Sequence, residues 1–145
     1  MNKFIQEAIK EAEIGIKNAH GGPFGAVIVK KGRIVGRGHN TVVKENDATC
    51  HAELQAIRDA SKTLKSFNLN GCILYTTGRP CPMCKAALKW AKISKVYYGC
   101  TYADAKSIGF DEMSGNSKNY TEKQIERKSC KELYTEFTVK KGKIY

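Results

Sequence analysis

Apolar residues return at helical spacing through the first stretch of the chain: Phe4, Ile5, Ala8, Ile9, Ala12 and Ile16 share a face, with acids, amides and lysines between them. The cluster Gly21-Gly22-Pro23 breaks that rhythm and predicts the end of a first helix. From there the period shortens. FGAVIVK and RIVGRGH are rich in Val and Ile and flank a turn at Lys31-Gly32, the pattern of a β-hairpin. The polar stretch TVVKENDAT reads as a loop, and Leu54, Ile57 and Leu64 then mark a second helix. CILYTT, residues 72–77, is a compact strand that stops at Gly78-Arg79-Pro80, before the helix-forming run PMCKAALKWAK. KVYYGC, residues 95–100, is a further strand.

Strand, helix and strand in so short a span make a βαβ unit, which predicts two parallel strands joined by a right-handed crossover. The fold class is therefore α/β, one sheet with helices packed on both faces. From Thr101 to Tyr120 the pattern dissolves into a Gly-, Ser- and Asn-containing stretch. From Thr121 a charged amphipathic helix with Ile125, Leu133, Tyr134 and Phe137 is expected. No repeat, low-complexity tract or interdomain linker interrupts the chain, so its 145 residues are read as a single domain.

Composition narrows the function classes. No apolar run is long enough to span a bilayer, and the N-terminal segment interleaves polar residues where a secretory signal would be continuously apolar. No membrane partner and a cytoplasmic location are the expectations. In a reducing compartment, six cysteines point to metal or redox chemistry rather than disulfides. The net charge of +11 would attract polyanions, but it is spread along the chain. A nucleic-acid partner and a merely basic surface both remain open.

Two short segments hold the candidate chemistry. Cys81 and Cys84 form a C-x-x-C where a strand hands over to a helix, a setting shared by redox pairs, inert buried thiols and metal sites. The segment TCHAEL supplies what a metal site would still need. His51 with Cys81 and Cys84 makes the three-donor set of a catalytic zinc, which keeps its fourth position open. Two thiolates and a neutral imidazole cancel the charge of Zn²⁺, and a zinc of this kind lowers the pKa of water from 15.7 to about 7. Glu53, two residues past His51, is the candidate proton carrier, able to reach the site from the first turn of a helix. Cys50, Cys72, Cys100 and Cys130 are read as packing residues. A rival reading makes Cys50 a fourth ligand, so that zinc only staples a non-catalytic binding module.

H-A-E followed by P-C-x-x-C is the signature of zinc-dependent base deaminases, and on it the chain resembles the cytidine-deaminase-like superfamily. GGPFGAVIV, GHN, HAE, LYTT, PCPMC, KW, GFDE and the final Tyr145 look most like bacterial guanine deaminases. The chain departs from the superfamily at Arg79, where a Glu is frequent, and in a shorter stretch after Glu112 with little sign of a fifth strand. The resemblance implies a three-layer α/β/α fold with a central mixed sheet of four to five strands. It implies Zn²⁺ as cofactor and hydrolytic deamination of a small-molecule purine, most closely guanine to xanthine and ammonia. Guanosine, cytosine and tRNA adenosine stay as alternative substrates. Carried over by residue, it implies that Asn40 hydrogen-bonds the purine edge. Phe24 and Trp90 pack near the base, and Ala52 joins them as substrate-binding. Asp111 or Glu112 handles protons at the exocyclic amine. It also implies a homodimer in which segment 113–145 crosses over and sets Tyr145 above the partner's site.

Overall fold

The computed structural model describes residues 2–112, 123, 124 and 126–144. Among the described residues ten elements follow in order: α1 (Lys3–Lys17), β1 (Gly25–Lys30), β2 (Arg33–His39), α2 (Val42–Glu45), α3 (Ala52–Leu64), β3 (Ile73–Gly78), α4 (Pro82–Trp90), β4 (Lys95–Cys100), α5 (Tyr102–Ser107) and α6 (Arg127–Val139). The Asn2 side chain accepts the Phe4 and Ile5 N–H groups and so starts α1, satisfying donors that have no partner inside the helix.

Four strands form one sheet in the order β2-β1-β3-β4. β1 is antiparallel to β2 and to β3, whereas β3 and β4 are parallel. That is the expected hairpin and the expected βαβ unit in a single mixed sheet. β1 is covered on both sides, which is why FGAVIVK is apolar without alternation. Val27, Val29 and Tyr75 meet Phe4 and Ile5 of α1 on one face. Ala26, Ile28 and Leu74 meet Ala52, Ala56 and Ala60 of α3 and Leu88 of α4 on the other. Among the described residues no helix is long and apolar enough to cross a membrane.

The seating of α3 matters because its N-terminus carries TCHAEL. At Gly38 in β2 an added Cβ would lie 2.5 Å from the Ala52 carbonyl oxygen and 2.6 Å from the Ala56 nitrogen. Only glycine lets the α3 backbone lie this close to the strand. Gly38→Ala is expected to cost about 1–3 kcal/mol of stability through overpacking against backbone. Denaturant unfolding would read that loss, and an unchanged midpoint would show that α3 can step away freely.

Several expectations are corrected. The loop after β2 contains the short helix α2, and α5 occupies part of the stretch expected to be irregular. Thr101 and Asp104 form a capping box that starts α5. α4 ends at Trp90 rather than at Lys92, and the C-terminal helix runs from Arg127. Cys50 and Cys72 are buried as expected, but Cys100 is exposed, at the end of the edge strand β4. Ile125 lies outside the described residues, as do the side chains of Cys130 and Leu133. Contacts group the chain into two compact units, Met1–Gly115 with the sheet and Asn116–Tyr145 with α6.

Candidate active site

Two helix N-termini deliver the metal donors. His51 is the N-cap of α3 with extended backbone (φ −71°, ψ 155°), and Cys81 is the N-cap of α4 (φ −67°, ψ 168°). Neither side chain caps its own helix, so both donor atoms stay available. Pro82 opens α4 at a position that loses no hydrogen bond, and Cys84 follows in the same first turn. The free N–H groups of that turn favour thiolate over thiol.

The donors converge. His51 Nδ1 lies 3.6 Å from Cys81 Sγ and 3.6 Å from Cys84 Sγ. A tetrahedral zinc with Zn–S of ~2.3 Å and Zn–N of ~2.0 Å separates its sulfur and nitrogen ligands by roughly 3.5 to 3.8 Å. The residues present therefore fit the ion. Among the described residues His51, Cys81 and Cys84 are the group of donors close enough to share a metal, and Cys50 does not join them. The stapled reading with Cys50 as fourth ligand loses its basis.

Electrostatics divides the two thiols before a metal arrives. The hydrogen bond from Cys84, ahead of its contact with His51, lowers Cys81 to about 4. Cys84 is pushed up by that same hydrogen bond, then by burial and by the nearby Glu53. The hydrogen bond to Cys81 raises His51. Glu53 sits in the first turn of α3, only 6% exposed, and its Oε2 accepts from Cys84 Sγ at 3.4 Å. Burial raises its carboxyl above the ordinary carboxylate range. A buried acid with raised proton affinity, beside a zinc position, is suited to carrying protons.

Above the donors lies a cavity. Its narrow inner part is lined by Phe24, Asn40, His51, Glu53, Arg79 and Glu112. An outer chamber of about 500 Å³ shares Phe24, Asn40, His51 and Glu112, and adds mostly apolar walls from Pro23, Val42, Val43, Ala48 and Phe110. Asn40 is buried and oriented by backbone: its Oδ1 accepts from Gly22 N at 3.2 Å and Val42 N at 3.1 Å. Two N–H donors fix which amide atom is oxygen, and so leave the NH₂ as the end available to a ligand. Glu112 is half-buried, and burial raises its carboxyl, followed by repulsion from Cys81.

His51, Cys81, Cys84, Glu53, Asn40, Phe24 and Glu112 are thus brought together. Other expected residues are not. Asp111 is exposed and lines neither part of the cavity, whereas its neighbour Glu112 lines both. Ala52 is fully buried and packs its methyl into the core under α3. Trp90 ends α4, about 12 Å of helical rise from its start, and is 64% exposed. Tyr145 lies outside the described residues. Phe110 was missed: its ring meets Phe24 edge-on at 5.2 Å, and the only signal in the sequence was its place inside GFDE.

Known proteins resemble this chain in sequence and in fold. The cytidine and deoxycytidylate deaminase zinc-binding region matches residues 1–100. Guanine deaminase from Bacillus subtilis (strain 168) is 48% identical over 109 residues, 75% of this chain and 70% of that protein. A tRNA-specific adenosine deaminase from Buchnera aphidicola is 34% identical over 119 residues, 79% of each. The X-ray structure of the Bacillus subtilis guanine deaminase superposes with a TM-score of 0.82 at 37% identity, covering 94% of this chain and 96% of that one. Because the family match runs through all three donors and Glu53, the chain belongs to the cytidine and deoxycytidylate deaminase family and is a zinc-dependent aminohydrolase.

Proposed function

We propose that this enzyme deaminates guanine, giving xanthine and ammonia. The observation that carries the reading is the cavity itself. The buried Glu53 carboxyl, the half-buried Glu112 carboxyl and an oriented amide at Asn40 line its inner part, which opens to a chamber whose other walls are largely apolar. Among the described residues no Lys or Arg lines the outer chamber, so nothing there favours a phosphate. The likeness to Bacillus guanine deaminase across nearly the whole of both chains supports the same substrate.

Zinc held by His51, Cys81 and Cys84 supplies Lewis acidity and brings the pKa of water to about 7. Glu53 takes the proton of the attacking water and delivers it to the ring nitrogen beside the amino-bearing carbon. Its burial raises its proton affinity above that of an ordinary carboxylate, which favours its taking up the proton it then returns. Asn40 donates its NH₂ to an acceptor on the purine edge, and Phe24 covers the base. Glu112, which lines the same inner cavity, relays the proton of the added hydroxyl to the amine, so that the carbonyl forms as the C–N bond breaks and ammonia leaves. We assign that task to Glu112 over Asp111 on position alone. Glu112→Gln is expected to lower kcat by roughly 10²-fold or more, whereas Asp111→Asn leaves it within about twofold. Steady-state ammonia release measures both, and equal losses would reject the assignment.

A second reading, tRNA adenosine deamination, has the +11 charge and the Buchnera relative in its favour. Ammonia release across guanine, guanosine, cytosine, adenosine and an adenosine-bearing anticodon stem-loop decides between them. Guanine should lead in kcat/KM by at least about 10²-fold and be nearly indifferent to salt. Activity on RNA that falls about 10³-fold or more between 50 and 200 mM salt would replace guanine with the nucleic acid. We also propose that two copies pair and exchange segment 113–145, setting Tyr145 over the partner's cavity. Exposed apolar side chains on and beyond α6, Tyr134, Phe137, Val139 and Ile144, support a partner there.

A further inference from the structure

Arg79, which lines the inner cavity, and Tyr102 take no step in the chemistry above, yet both bear on the turn that holds Cys81. The Tyr102 hydroxyl donates to the Pro80 carbonyl at 2.6 Å, one residue before the ligand. The Arg79 guanidinium lies over the Tyr102 ring at 4.6 Å, and Lys85, one residue past Cys84, approaches the same ring at 5.6 Å. One half-buried aromatic ring thus touches the segment before Cys81, the carbonyl next to it and the residue after Cys84.

The ring is itself held from behind. Tyr102 is the first residue of α5, and the Thr101–Asp104 capping box fixes that helix start: Thr101 N donates to Asp104 Oδ2 at 2.8 Å, and Asp104 N donates to Thr101 Oγ1 at 3.2 Å. The Arg79 backbone N–H donates to the Cys100 carbonyl at 2.9 Å, extending the β3–β4 ladder to the mouth of the turn. The β3–α4 turn and the β4–α5 turn are therefore braced against each other at three points: a ladder bond, a hydroxyl bond and a cation stacked on a ring.

We propose that Tyr102 and Arg79 form a clamp that positions the Pro80-Cys81 turn for zinc, with Tyr102 as the positioning residue and Arg79 as the cation that holds its ring. The Cys81 side chain makes no capping bond of its own, so the turn is held through its backbone and its neighbours. Bracing the carbonyl beside the ligand restricts where Sγ can sit, which is how groups behind a ligand tune metal affinity. The presence of Arg79 at a position where the superfamily often has an acid is then explained by its aromatic partner: the face of a Tyr ring attracts a cation and not a carboxylate. The clamp concerns how zinc is retained and does not rest on which base is deaminated.

The test measures metal, with no substrate present. Zinc is withdrawn from the full-length protein by a chromophoric chelator, and the cobalt-substituted protein is read by its visible d–d bands. Tyr102→Phe keeps the ring and loses the hydroxyl bond; its zinc affinity is expected to fall about 10-fold, and that of Tyr102→Ala toward 100-fold, with altered cobalt bands in both. Arg79→Ala should weaken zinc in the wild-type background but add little to Tyr102→Ala, since each acts through the other. Tyr97→Phe, which loses the same group from β4 five residues earlier in the chain, serves as the control and should match wild type. Zinc affinity and cobalt bands of Tyr102→Phe equal to those of wild type would overturn the proposal, as would fully additive losses in the Arg79/Tyr102 double variant. A Tyr102→Phe variant whose metal-free unfolding midpoint is unchanged while zinc affinity falls separates the clamp from general stability.

Discussion

Glu53→Gln is expected to lower kcat by about 10² to 10⁴-fold while zinc stays bound at the wild-type ratio. The amide has the shape of the acid and can still face Cys84, so the donor set is undisturbed, but it cannot pass a proton between water and ring nitrogen. Metal content and ammonia release, measured on the same preparation, check both halves. A Gln variant that releases ammonia at a rate near wild type would remove Glu53 from the mechanism. The same substitution carries a stability signature. Burial raises the Glu53 carboxyl above its unfolded value of 4.5, so the folded chain prefers the protonated acid. That contribution is fully present below the unfolded value and is lost as pH rises through the folded one. At neutral pH the metal-free wild type therefore carries the cost of a buried carboxylate that Gln does not have. The metal-free Gln variant should unfold later than wild type at pH 7, and the difference should vanish in acid.

Cys84→Ser is expected to abolish turnover and to weaken zinc by on the order of 10³-fold or more. Cys84 is fully buried in the first turn of α4 and forms one corner of the donor triangle. A serine hydroxyl is a poor ligand for zinc and is not ionised at neutral pH, so neither the charge balance nor the affinity survives. Proton release gives a second readout. In the metal-free chain Cys84 is held protonated, and His51 is raised toward its protonated form. Zinc must displace those protons, so its affinity falls as pH falls, and uptake near pH 7 acidifies a weakly buffered solution. In Cys84→Ser that release should shrink by the share belonging to the thiol. Cys50→Ser, by contrast, should keep its zinc, because Cys50 lies outside the donor group. Loss of metal in that variant would restore the staple reading.

How much of this was legible beforehand differs from element to element. The hairpin and the βαβ unit could be read because strand and helix periods are local, and because β1 is buried on both faces and so lacks alternation. α2 and α5, four and six residues long, are too short to show a period, and their existence depends on contacts. α2 is secured by the His20 carbonyl, which accepts from Val43 and Lys44. The zinc donors were legible because C-x-x-C and H-A-E combine residue types with few other uses at those spacings. The exposure of Trp90 and Cys100 was not legible for one shared reason: an apolar letter says nothing about which side of an element meets a neighbour, and β4 is an edge strand of the sheet.

By itself, then, the sequence determined the periods, the turns and the identity of the metal donors, since these follow from backbone preferences and from side-chain chemistry within a few residues. Only the tertiary structure decided that His51 meets two sulfurs from residues 30 and 33 positions away, that Glu112 and not Asp111 lines the cavity, and that Asn40 offers its NH₂ rather than its oxygen. Those are outcomes of how glycine-thinned β2 seats α3 beside α4. Distances between chain segments are set by packing volume and by hydrogen bonds to distant backbone, which no local pattern encodes.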